Sequence, residues 1–309
     1  KKSEIKSEHE IAGGIEMKFT EGYWEKSERA NASHAMQAFI VEEIPNGMQI
    51  VAPFHIITDR SGALDVGTIT IEFTAIRKDV ISVRSWHFEG YQRKEPRFEL
   101  NKDMQDVDVE ITDEKAIMTA GRMQVCVDRK DFKIEYKADG KVLTTCGFRN
   151  IGYMQYDRSN STKFPESNYM YSDYTPYMNT ELSLAPGECV YGMGERFTSF
   201  VKNGQVVDCW NEDGGTASQI SYKNIPFYMT NKNYGILVDH TDNVSFEVAS
   251  EKVEYVGFSV KGEELRFDLI YGDTMKDVIR TYTDLTGKPA LAPGWSFGLW
   301  LTTSFTTNY

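Results

Sequence analysis

Most of the chain alternates apolar and polar residues with period two. Thr68-Ile69-Thr70-Ile71-Glu72-Phe73, Val107-Asp108-Val109-Glu110-Ile111 and Phe132-Lys133-Ile134-Glu135-Tyr136 each put their apolar members on one side of an extended backbone. That is the pattern of a strand with one face buried and the other wet. Ala138-Asp139-Gly140 lies between Tyr136 and Val142-Leu143 and predicts a hairpin, because Asp-Gly supplies the positive φ of a tight turn. The same alternation returns in Ser245–Val248, Gly257–Val260 and Leu265–Leu269. Many short strands separated by turn residues predict a mainly β protein folded as an antiparallel sandwich.

The rhythm changes once, near residue 273. Thr274 followed by Asp277 has the spacing of a capping box, and Met275, Val278, Ile279, Tyr282 and Leu285 recur at helical intervals. Gly287 and Pro289 stop the pattern, so a helix is predicted over 274–286. A Pro-bearing linker, Ala290 to Gly294, leads into Trp295-Ser296-Phe297-Gly298-Leu299-Trp300-Leu301. That run predicts a strand buried on both faces, the kind found inside a parallel sheet. Eight residues follow Leu301, so the expectation is a chain cut as it enters another domain. The predicted organisation is a β domain over 1–272, a helix and linker over 273–294, and the start of a second domain over 295–309. Without neighbouring strands, Trp295, Phe297, Leu299 and Trp300 would expose apolar surface. The tail is therefore expected to be disordered, to fold back on the sandwich, or to join copies into a homo-oligomer.

Composition narrows the function. Hydrophobic residues at 40% and charged residues at 26% are ordinary for a protein with a sizeable core. Acidic residues outnumber basic ones by 46 to 34, and no basic stripe interrupts that balance, so nucleic acid is not an expected partner. No apolar run reaches the length of a membrane span, and Lys1-Lys2-Ser3-Glu4-Ile5-Lys6 lacks the apolar stretch of a secretory signal. Cys126, Cys146, Cys189 and Cys209 form no C-x-x-C pair, and the five histidines are scattered, so neither a metal nor a cofactor is predicted. Free thiols without a signal peptide suggest a reducing, cytoplasmic location, where the sequons at Asn31, Asn160 and Asn243 would stay bare.

Three segments carry more specific information. Val190-Tyr191-Gly192-Met193-Gly194-Glu195-Arg196-Phe197 holds G-x-G without a third glycine in register, which disfavours a dinucleotide loop and favours a tight strand bend. Trp210-Asn211-Glu212-Asp213-Gly214-Gly215-Thr216 is followed by Tyr222 to Met229, and its Asp213-Gly214-Gly215 reads on its own as a surface turn. Pro289 to Leu301 runs on to Phe305 and Tyr309, where Phe305 alone would pass for a core aromatic. Together, in order and spacing, these segments resemble glycoside hydrolase family 31, and most of all its α-xylosidase branch over about 186–309.

The resemblance implies a galactose-mutarotase-like antiparallel β-sandwich, then a short helix and the first strand of a truncated (β/α)8 barrel. It implies a retaining hydrolase acting on α-linked xylosyl or glucosyl oligosaccharides through two aspartates about 5–5.5 Å apart. Those aspartates belong to later barrel strands and have no counterpart here, so no catalytic residue is assigned in this chain, and the missing barrel is its expected partner. Asp213 matches a carboxylate that accepts hydrogen bonds from sugar hydroxyls on the leaving-group side, with Trp210 and Asn211 assisting. Phe305, at the carboxyl end of barrel strand one, would wall the pocket near C5 of the sugar and exclude a hydroxymethyl group. Two other readings stay open. A stand-alone carbohydrate-binding or scaffold module would bind sugar unaided, and an aldose 1-epimerase would need histidines with a carboxylate in the sandwich groove, an arrangement not recognisable in the sequence.

Overall fold

A computed structural model describes residues 30–90, 96–157, 174–212 and 221–299. The described strands pair antiparallel in three sheets. Eight of them run in the order Val190–Gly192, Phe227–Thr230, Tyr234–Val238, Glu264–Tyr271, Val80–Trp86, Thr68–Arg77, Gly47–Pro53, Ile40–Ile44. Six form a second sheet, Ala30–His34, Ile151–Asp157, Tyr174–Ser183, Tyr255–Lys261, Val244–Val248 and Gln205–Cys209. Five form the third, Lys141–Gly147, Lys133–Ala138, Met123–Asp128, Lys115–Ala120 and Asp108–Ile111.

Alternation along the strands decides how these sheets stack. Ile69, Ile71 and Phe73 on one sheet, Ile134 and Tyr136 on another, and Phe246, Phe258 and Val260 on the third all turn inward into one continuous core. Aromatic contacts bridge the layers. Phe73 and Phe267 of the eight-stranded sheet meet Tyr136 of the five-stranded sheet with ring centres 6.3 and 6.4 Å apart. Phe267 and Tyr228 meet Phe258 and Phe246 of the six-stranded sheet edge-on at 5.3 and 6.1 Å. The eight-stranded sheet is thus one layer of a sandwich, and the two smaller sheets lie side by side as the other. Their seam is closed by Thr144 Oγ1, which donates to the Ser183 carbonyl at 2.8 Å. The predicted hairpin is present: Asp139 and Gly140 have φ of 49° and 74°, and Lys141 pairs with Ala138.

The predicted helix spans Met275–Thr286. Its apolar stripe, Val278 and Leu285 with Tyr282, packs on Phe227, Leu237 and Ile270 on the outer face of the eight-stranded sheet, and Tyr282 stacks on Phe227 at 4.2 Å. Thr274 caps it reciprocally: its hydroxyl accepts from the Asp277 N–H at 3.3 Å, and the Asp277 carboxylate accepts from the Thr274 N–H at 3.2 Å. Thr274→Ala is expected to cost about 1 kcal/mol in a urea titration of the chain, since it leaves a first-turn N–H without its cap. A strap over 96–105 runs beside the helix, where the Asn101 and Asp103 N–H groups donate to the carbonyls of Leu285 and Ile76 at 2.7 and 2.8 Å.

The strand expected over 295–301 is not found in the described part of that segment. Gly294–Phe297 is a single 3₁₀ turn closed by Ser296 N–H on the Pro293 carbonyl at 2.9 Å. Trp295, Phe297 and Leu299 are 79%, 79% and 96% exposed, so this segment does not fold back on the sandwich. A strand buried on both faces exists only between two others that complete its hydrogen bonds. Among the described residues none stands beside 294–299.

Candidate sugar-contacting site

Trp210 and Asn211 follow the strand Gln205–Cys209 where it leaves the six-stranded sheet. The departing chain and the returning one are held together at once. Asn211 forms an isolated bridge with Ser221, and the Glu212 N–H donates to the Ser221 carbonyl at 3.0 Å. Asn224 ties this neck from below. Its Nδ2 donates to the Trp210 carbonyl at 2.7 Å, to the Ser221 carbonyl at 2.9 Å and to Asn211 Oδ1 at 3.0 Å, while its backbone N–H donates to the same Oδ1 at 3.0 Å. With Oδ1 so occupied, Asn211 offers a ligand chiefly its Nδ2 donors.

The neck borders a hollow of about 320 Å³ lined by Phe98, Trp210, Asn211, Asn224, His240 and Asp242, among others. Trp210 and Phe98 are each 42% exposed, so both present ring surface on which a sugar face can stack. Cys209 beneath them is no nucleophile, because burial pushes its thiol up to about 11.

Of the expected site residues, Trp210 and Asn211 stand side by side on one wall of this hollow. Asp213 and Phe305 lie outside the described residues. Phe98, His240, Asp242 and Asn224 were not singled out as site residues. Nothing in the pattern around Phe98 marks it, since it reaches the hollow only because the strap crosses the sheet there.

The glycines of Gly192-Met193-Gly194 have a steric reason. At Gly194 (φ +87°) a Cβ would overlap the Lys223 carbonyl oxygen and lie 3.0 Å from Asn224 Cα; at Gly192 (φ +118°) it would lie 2.7 Å from the Phe227 carbonyl oxygen. The segment needs this room because the Met193 and Glu195 N–H groups donate to the Phe227 and Lys223 carbonyls at 2.8 and 2.9 Å.

A histidine–carboxylate pair does occur among the described residues. His87 Nδ1 lies 2.7 Å from Glu263, whose other oxygen accepts from the Tyr153 hydroxyl at 2.9 Å. The imidazole is stacked between Phe54 and Tyr153, with ring centres 5.7 and 3.9 Å away. A ring with both faces covered and a carboxylate with both oxygens engaged form a structural tie, not an open acid–base site. Among the described residues no three His, Cys, Asp or Glu side chains converge as metal ligands, and no helix is long and apolar enough to cross a membrane.

Comparison with known proteins decides the family. Residues 70–247 match the model of the glycosyl hydrolase 31 N-terminal galactose mutarotase-like domain. The chain belongs to that family. Its sandwich resembles solved structures: a cycloalternan-forming enzyme from Listeria monocytogenes superposes with a TM-score of 0.70 over 88% of this chain and 24% of that one, at 18% identity. A glycoside hydrolase 31 dextranase from Flavobacterium johnsoniae gives 0.68 over 86% of this chain and 30% of that one, at 19% identity. At such identities the likeness is one of fold. Among curated relatives, α-xylosidase XylQ of Lactiplantibacillus pentosus is 40% identical over 95% of this chain and 37% of its own length. An α-xylosidase of Emericella nidulans is 40% identical over 95% of this chain and 38% of its own. This glycosyl hydrolase 31 domain therefore spans less than two fifths of the α-xylosidases it matches.

Proposed function

We propose that the chain is the amino-terminal part of a retaining α-glycosidase that releases terminal α-linked xylose, and that it forms one wall of the substrate pocket. The observation that carries this is the 40% identity to two α-xylosidases, sustained over 95% of the chain. A hollow with two exposed aromatic rings and an oriented asparagine amide suits a sugar, which stacks by its C–H face and hydrogen-bonds by its rim. On this reading Trp210 and Asn211 steady the sugar, Asp213 accepts from its hydroxyls, and Phe305 fills the space a hydroxymethyl group would need. The two carboxylates that break the bond belong to the barrel, with 295–309 as its entry. Retention by such a pair proceeds through a glycosyl–enzyme intermediate: one carboxylate attacks the anomeric carbon while the other protonates the leaving oxygen and then activates water.

The test is turnover of p-nitrophenyl α-xyloside. The full-length enzyme is expected to hydrolyse it with retained anomeric configuration, and the 309-residue chain alone to show none above buffer. Turnover by the isolated chain at rates near the full-length enzyme's would overturn the assignment of the chemistry to the barrel. In the full-length enzyme Phe305→Ala is expected to gain activity on p-nitrophenyl α-glucoside, and an unchanged xyloside-to-glucoside ratio would remove Phe305 from specificity.

A further inference from the structure

The neck that carries Trp210 and Asn211 is held by a residue from a different part of the fold. Arg196 Nη2 donates to the Asp208 carbonyl at 2.8 Å and to Asn224 Oδ1, and touches Cys209 Sγ at 3.8 Å. Its Nε donates to the Met193 carbonyl at 3.2 Å. One guanidinium thus joins the glycine bend, the end of the strand Gln205–Cys209, and Asn224.

The chemistry makes the arrangement directional. Arginine has only donors, so the group that Asn224 turns toward it must be the amide oxygen. That choice sends the Asn224 NH₂ the other way, onto the carbonyls of Trp210 and Ser221 and onto Asn211 Oδ1. Were the amide reversed, its oxygen would face three acceptors and its NH₂ would face a cation. Arg196 therefore sets which way Asn224 points, and Asn224 sets where Trp210 and Asn211 stand. The planar fork matters as well as the charge, because Nη2 and Nε reach two separate segments.

We propose that Arg196, acting through Asn224, is a positioning residue that holds Trp210 and Asn211 in the sugar-contacting wall and so governs substrate affinity more than the chemical step. This rests on the α-xylosidase reading above, and two experiments keep the ideas apart.

Hydrogen–deuterium exchange on the 309-residue chain tests the clamp without any activity. Arg196→Met is expected to speed exchange in peptides covering 209–212 and 221–224 by on the order of 10-fold, the equivalent of one lost hydrogen-bond tie. Peptides from Thr68–Arg77 should be unchanged, and Arg196→Lys should fall between. Unchanged exchange at the neck, or equal acceleration everywhere, overturns the clamp. Steady-state kinetics of the full-length enzyme then test the role. Arg196→Met is expected to raise KM for p-nitrophenyl α-xyloside by on the order of 10-fold with kcat changed less than about twofold, and Arg196→Lys to restore part of it. A loosened neck with unaltered KM, or an equal loss in kcat and kcat/KM, refutes the positioning role. An inactive wild-type enzyme defeats the α-xylosidase reading, and the role of Arg196 toward sugar with it, while the exchange result still decides the clamp.

Discussion

Asp268→Asn is expected to stabilise the chain by about 3–4 kcal/mol at pH 8, and by only about 1–2 kcal/mol at pH 5. Asp268 is fully buried in the strand Glu264–Tyr271, and neither carboxyl oxygen has a hydrogen-bond partner among the described residues. Burial is the main reason its pKa rises from the ordinary 3.8 to about 7. The nearby Ser82 hydroxyl and the charges of Arg266 and Lys102 offset part of that cost, and the Asp239 charge adds to it. A carboxyl whose folded pKa lies above its unfolded one binds more protons when folded. Stability is therefore highest below the unfolded value, falls through the window from about 4 to 7, and carries the full penalty above it. An asparagine has no proton to lose, so the variant's urea midpoint should vary less across that window than the wild type's. A variant less stable than wild type at pH 8 would show that the carboxylate is satisfied and that burial costs it little.

Gly194→Ala is expected to destabilise by about 2–5 kcal/mol and to displace the neck. Two separable terms contribute. A non-glycine residue with left-handed φ costs about 1–2 kcal/mol, and forcing a methyl into occupied space costs about 1–3 kcal/mol more. Gly204 separates them, since its φ of +85° is nearly that of Gly194 but a Cβ there meets nothing within 4 Å. Gly204→Ala should lose only the backbone part. The difference between the two urea midpoints then measures the contact with the 223–225 backbone. Equal losses would mean that the second chain gives way freely and that Gly194 is needed for its φ alone. Faster exchange at 221–224 in Gly194→Ala, absent from Gly204→Ala, would tie the bend to the sugar-contacting wall.

Local chemistry alone specified a good part of this fold. The strands at 68–73, 133–136, 245–248 and 265–269 were legible because the side-chain period of a half-buried strand repeats in the residues themselves. The helix boundaries and the Asp139-Gly140 turn were legible because caps and tight turns are settled by neighbours a few positions apart. Gly192 and Gly194 belong to one of the three segments that carry the family resemblance, and close backbone contacts leave both positions few substitutes.

Only the tertiary structure decided matters that join distant residues. Alternation put Asp268 on a wet face, yet its strand neighbour Leu237 packs with the helix and Leu100, and the Asp268 carboxyl is fully buried. The segment expected as a buried strand over 295–301 is a 3₁₀ turn over Gly294–Phe297, because only hydrogen-bonding partners on both sides could make it a strand. Phe98 and Trp210 line one hollow across more than a hundred residues of sequence, and His87 meets Glu263 across more still. Arg196 read as part of a motif, and its purpose emerged only when the 208–211 and 221–224 backbones came within reach of one guanidinium. Short-range physics is written residue by residue, whereas burial and hydrogen-bond partnership belong to whichever segments the fold brings together.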